Sequence, residues 1–329
     1  MNKRQIIQFI CSLLVIGFSL SVVSNILKRK DSDIEYQVFY EKSDEYDVLF
    51  FGPSVVHYGI FPMQLWNDYG ITSYNMANDS ERLAMTYHHI KNALDYSTPE
   101  MIVVDLTAMG WAGTTRDNSL KDHNFLDSVP LSRNKIDEVV TIFNKEDRLQ
   151  YLFTWYIYHA RWEYLEEKDF SWERNVYYGG FPLTGTYEWE KPTIDDYALS
   201  RYGEVQAEQK NILNIIELCK ERDIEILFIY YPCPVRGGDQ RLREYCEKFL
   251  KESGVDYMDL LYIENIDWKV DFIQDGHVNY YGAEKVTDSL GRILVSKYGI
   301  KDHRTEKEYS ATWNDDYMQY KQLIGSFQH

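Results

Sequence analysis

A serine, an aspartate and a histidine stand where a chain can assemble a nucleophile and its base. Ser54 follows the apolar run Val48-Leu49-Phe50-Phe51 and the bend Gly52-Pro53. His277 closes the stretch Asp271-Phe272-Ile273-Gln274-Asp275-Gly276-His277, just ahead of a helical pattern. A serine hydroxyl is a poor nucleophile at neutral pH. It needs a base within hydrogen-bond reach, and the base needs an acceptor that fixes its ring. An imidazole, with an unperturbed pKa near about 6.5, suits that task. Asp275 lies two residues away and can orient it. Taken singly, each residue has a plainer role: Ser54 as a helix N-cap, His277 as a solvated or capping side chain. The combination and the order Ser…Asp…His point to acyl transfer.

The elements that must position these groups alternate along the chain. Apolar runs at 47–51, 71–76, 101–106, 225–231 and 256–260 read as strands, and Pro232 ends the fourth. Helical spacing marks 80–96, with Ser80 as its N-cap, then 204–222, 241–253 and 281–298. Continuous apolar strands separated by helices imply an α/β fold: a three-layer, doubly wound parallel sheet. Ser54 then falls at the carboxyl end of the first strand, where open α/β sheets place ligand groups. Between about 108 and 202 the alternation breaks into an insertion, aromatic and helical at 151–165 and irregular at 172–192. Insertions at strand ends shape substrate clefts. Residues 301–329 read as a polar C-terminal extension.

The blocks Gly52-Pro53-Ser54 and Asp275-Gly276-His277-Val278-Asn279-Tyr280-Tyr281-Gly282-Ala283 resemble the first and last blocks of the SGNH (GDSL-type) esterase and acyltransferase superfamily. The resemblance covers residues 46–300. It is closest to membrane-anchored members similar to the alginate O-acetylation proteins and the D-alanine transfer protein of teichoic acid. It implies a flavodoxin-like sheet. It also implies catalysis by Ser54, His277 and Asp275, an acylated envelope polysaccharide or acyl donor as substrate, and a polytopic O-acyltransferase as membrane partner. It implies no cofactor.

Three departures bear on that expectation. The family's acid stands three residues before the histidine, a position held here by Gln274, which leaves Asp275 or a Ser–His dyad oriented by Gln274. The oxyanion-hole glycine after the second strand is absent from Asn75-Met76-Ala77-Asn78, so Asn78 becomes the donor beside the Ser54 N–H. The asparagine after the third strand is missing from Asp105-Leu106-Thr107-Ala108-Met109-Gly110. These losses also fit a weakly active or inactive accessory protein of the same fold. Asp105 reads as a strand-end cap or a site residue, and His159 and Arg161 as binders of a polymer or carboxylate.

The remaining features bound the setting. Residues 6–27 carry no charge and span roughly 33 Å as a helix, enough for a bilayer core of about 30 Å. We read 1–30 as an uncleaved single-pass anchor and 31–45 as a charged juxtamembrane linker. Lys3 and Arg4 on one flank nearly balance Lys28, Arg29 and Lys30 on the other, with a slight lean to a cytoplasmic domain. The family resemblance implies an extracytoplasmic one. A net charge of −17 argues against nucleic acid. The four cysteines match no zinc spacing, so no metal is expected.

Overall fold

The computed structural model describes residues 2–28, 36–111, 119–170, 174–191, 202–234, 240–261, 263 and 265–325. The linker residues 31–35 and parts of the insertion lie outside them. The chain forms two compact units. One combines Met1–Ser32 with Leu126–Arg174, and the other combines Asp33–Phe125 with Asn175–His329.

The larger unit is built on five parallel strands: β1 (Val48–Phe51), β2 (Ser73–Asn75), β3 (Met101–Asp105), β4 (Glu225–Tyr230) and β5 (Asp256–Asp259). Their order is β2-β1-β3-β4-β5, the flavodoxin-like order, and every pairing is parallel. All residues of β1 and β3 are buried. Side chains alternate between sheet faces, so both faces must be covered by helices. The helices supply two groups. Helix α4 (Pro62–Tyr69) packs on α12 (Tyr280–Ser296) and α13 (Lys307–Ile324), while α5 (Leu83–Ala93) packs on α10 (Tyr202–Glu221). Helix α11 (Gln240–Glu252) covers β5.

Three local expectations change. Helix α5 begins at Leu83 rather than Ser80, because Ser80 sits at φ +60° in a turn closed by the Glu81 N–H on the Asn78 carbonyl. The stretch 36–45 holds the short helix α2 (Gln37–Glu41) and buries Tyr36, Val38 and Phe39 in the core. Residues 307–324 look polar in one dimension but carry Trp313, Tyr320 and Ile324 on one buried helical face.

The smaller unit contains α1 (Lys3–Leu27), α7 (Arg133–Ile142), α8 (Arg148–Leu152), α9 (Trp155–Tyr158) and a 3₁₀ turn over His159–Tyr164. Asn2 and Gln5 cap α1 reciprocally. Among the described residues α1 alone is long and apolar enough to cross a membrane. The stretch 108–202 therefore divides: residues 126–170 belong with α1, and 175–191 belong with the sheet.

Candidate active site

The sheet's strand order reverses at β1, whose neighbours are β2 on one side and β3 on the other. Ligand sites of such sheets open at the carboxyl ends of the strands around that point. The chain leaves β1 there through Gly52 at φ +151° and Pro53, and Ser54 becomes the first residue of α3 (Ser54–His57). A Cβ on Gly52 would come within 2.9 Å of both Asp105 Cβ and Val56 Cγ2. Glycine is needed because β3 ends directly against this turn.

Asp105 is the pin of that corner. It is buried; Oδ1 accepts from the Thr107 N–H at 2.8 Å and Oδ2 from the Tyr231 N–H at 2.8 Å. Oδ1 caps the turn that follows β3 and Oδ2 ties the end of β3 to that of β4, so Asp105 takes a capping role.

The second half of the site comes from a tight loop. Phe272 and Val278 form an antiparallel bridge. The Ile273 N–H donates to the His277 carbonyl at 2.9 Å, and the Gly276 N–H donates to the Ile273 carbonyl at 3.1 Å. This is a three-residue hairpin loop, Gln274-Asp275-Gly276, closed by glycine at φ +86°. Asn279 locks its exit. Its Oδ1 caps α12 at the Gly282 N–H, and its Nδ2 donates to the Val270 and Gly185 carbonyls at 2.7 and 2.9 Å. Gly282 is required because a Cβ there would lie 2.4 Å from the Asp271 carbonyl oxygen.

These two constructions bring Ser54 Oγ to 2.7 Å from His277 Nε2. On the other side of the ring, Nδ1 lies 2.8 Å from Asp275 Oδ1. Burial alone would raise the Asp275 carboxyl, but the hydrogen bonds from the His277 ring and backbone N–H outweigh it and hold the group below its ordinary value. Gln274 is exposed, and no hydrogen bond joins it to the ring. The Tyr58 ring stands edge-on to His277 with centroids 5.4 Å apart, and its hydroxyl reaches Asp79 Oδ2 at 3.4 Å.

As the first residue of α3, Ser54 presents a backbone N–H with no intrahelical acceptor. Asn78 lies beside it, its own N–H donating to the Gly52 carbonyl at 3.0 Å. Its side chain is buried, and Nδ2 donates to the Lys121 carbonyl at 3.2 Å. One of its two amide hydrogens is thus already engaged. His159 and Arg161 belong to the other unit. His159 Nδ1 faces the Tyr156 carbonyl at 2.9 Å. Arg161 donates from Nη1 to the Leu27 and Lys28 carbonyls and from Nη2 to Asp169. No cluster of His, Cys, Asp and Glu suited to a metal occurs among the described residues.

The stretch 175–191, read from the sequence as irregular, is a strap whose ties to the site that reading missed. It has no regular structure, yet it ties the site together. The Asn75 N–H donates to the Tyr178 carbonyl, and the Phe181 N–H to the His57 carbonyl. The Tyr280 N–H donates to the Leu183 carbonyl, and the Tyr187 N–H to the Phe272 carbonyl. The signal was the pair Gly179-Gly180. Their Cβ atoms would fall 1.9 Å from the Asn75 carbonyl oxygen and 2.2 Å from that of Ile60.

No protein-family model and no curated protein matches the chain. Among solved structures it is similar to a protein assigned as an acylhydrolase from Bacteroides fragilis NCTC 9343, with 10% identity, 81% of this chain and 97% of that one covered, and a TM-score of 0.38. It is also similar to a GDSL-like lipase from Bacteroides thetaiotaomicron VPI-5482, with 10% identity, 84% and 96% covered, and a TM-score of 0.35.

Proposed function

We propose that the chain is a membrane-anchored serine ester hydrolase or O-acyltransferase of the SGNH type, acting on an acylated cell-envelope polysaccharide. The observation that carries this reading is the relay Ser54–His277–Asp275, with contacts of 2.7 and 2.8 Å. Ser54 Oγ attacks the acyl carbonyl, and His277 Nε2 takes its proton. The Ser54 N–H faces the developing oxyanion, and this reading assigns the second amide hydrogen of Asn78 as the further donor. His277 then returns the proton to the leaving alcohol. Water as acceptor gives hydrolysis; a sugar hydroxyl gives transfer.

The anchor reading is supported by the way the end of α1 is built into its unit through Arg161. Cleavage after α1 would strip that arginine of two acceptors. A polytopic acyltransferase would supply the acyl group across the membrane, with the folded part outside. Protease added to intact spheroplasts would digest an external domain and spare a cytoplasmic one.

A second reading, an accessory protein of low activity, is favoured by the engaged Asn78 amide and the 61% exposure of the Asp275 side chain. Labelling with a fluorophosphonate, read by mass spectrometry, separates the two. An activated Ser54 becomes phosphonylated; absence of label at Ser54 in the folded chain overturns the enzyme reading.

A further inference from the structure

Helix α1 does not stand clear of the folded chain. Its last turn is held by Arg161, which donates from Nη1 to the Leu27 carbonyl at 2.7 Å and the Lys28 carbonyl at 2.6 Å. Arg161 Nη2 is in turn fixed by Asp169 Oδ1 at 2.8 Å. Ser24 Oγ hydrogen-bonds Thr154 Oγ1, and α1 packs on α9 and on the turn His159–Tyr164. Contact is confined to this end. From Ile6 to Val23 the large apolar side chains of α1 point outward, Phe18 most of all.

The segment that grips the helix end carries a second apolar surface. Phe153, Trp155, Tyr156, Trp162, Tyr164 and Phe170 are between 40% and 73% exposed. Aromatic side chains of this kind bury well in a core, and here they do not. Trp and Tyr combine an apolar ring with a polar edge, which favours the boundary between lipid and water. The end of a helix of membrane length lies at that boundary. Arg161 joins the two features at fixed register.

We propose that residues 153–170 form an aromatic collar that inserts into the headgroup region of the bilayer crossed by α1, seating this unit on the membrane surface. The proposal rests on the reading of α1 as a membrane span. The occupant is phospholipid because the aromatic surface adjoins the end of a helix whose exposed surface from Ile6 to Val23 is dominated by apolar side chains and carries no charge. Glu163, Glu166 and Glu167 are exposed among the aromatics. They disfavour attraction to an anionic surface, so the collar inserts by its rings and not by charge.

The test uses the full chain reconstituted in phosphatidylcholine vesicles, with Cys11→Ser to remove the exposed thiol. Nitroxides are placed singly at Val15→Cys, Trp162→Cys, Tyr164→Cys and Phe170→Cys, and their depths are read from oxygen and nickel-chelate accessibility against lipid-borne standards. Thermal unfolding confirms that each variant is folded. The expected result is Val15 in the hydrocarbon core and the other three at headgroup depth, several-fold less accessible to nickel than a label free in water. Val15 in the core with the other three in water would overturn the collar and leave the anchor standing. All four in water would remove both. Protection that appears only after membrane protein is co-reconstituted would assign the face to a protein partner and overturn the proposal.

Discussion

Asp275 Oδ1 accepts twice from His277, from the ring Nδ1–H at 2.8 Å and from the backbone N–H at 3.1 Å. One oxygen therefore fixes both the ring and the main chain of the same residue. The three-residue loop makes this possible. Gly276 in the left-handed region turns the chain back so that residues 275 and 277 face one another. The carboxylate thereby reaches the ring from two residues away, and Gln274 is exposed.

Replacing Asp275 by Asn keeps the shape and removes the charge that stabilises the imidazolium. In a buried protease triad that change costs about 10⁴ in kcat. Asp275 is 61% exposed, and water screens it, so we expect a fall of about 10- to 10²-fold. Gln274→Ala should leave kcat nearly unchanged. Acetyl-ester hydrolysis by the two variants checks this, and the reverse ranking would assign the orienting role to Gln274.

In the proposed relay Ser54 and His277 act as one device. Either Ala variant should lose about 10⁴-fold or more in kcat, and the double variant should be little worse than either alone. Additive losses would mean that the 2.7 Å contact is not the proton path.

Gly52 serves the site through the backbone. An alanine there meets Asp105 Cβ and Val56 Cγ2 at 2.9 Å, and neither atom is the free end of a flexible chain. Gly52→Ala should cost about 1–3 kcal/mol of stability and shift the Ser54 turn. Denaturant unfolding together with residual kcat checks it. A variant with unaltered stability and kcat would show that the β1 turn has room to relax.

The sheet was legible because its strands are continuous apolar runs, a pattern that burial on both faces imposes. Ser54 and His277 were legible because each adjoins an unambiguous element, β1 and α12. The strap 175–191 was legible as irregular chain but not as a tie to the site. Its hydrogen bonds run between main-chain groups far apart in sequence, which no side-chain periodicity reports. The bonds of Arg161 to the end of α1 were not legible for a related reason, because they join a side chain to main-chain carbonyls more than 130 positions away. Asp105 and Tyr231, likewise, are joined by a side-chain-to-backbone bond across 126 positions.

His57, the last residue of α3, gives the fold around Ser54 a defined response to acid. Its side chain is buried, Nδ1 donates to the Gly179 carbonyl at 2.9 Å, and Nε2 has no partner among the described residues. Burial pushes its pKa down to about 4, against the opposing pull of the Asp79 charge and the Gly179 carbonyl. An unfolded histidine takes up a proton near about 6.5. Between these values the unfolded chain binds the proton and the folded chain does not, so stability rises with pH through that window and falls as pH drops. At pH 4.5 the loss relative to pH 7 should be on the order of 2–3 kcal/mol from this residue. Urea unfolding of the detergent-solubilised chain at the two pH values, compared with His57→Gln, isolates it. The variant should be less stable at pH 7, having lost a fitted ring, but its stability should fall less on acidification. An equal fall in both proteins would show that His57 does not govern the acid response.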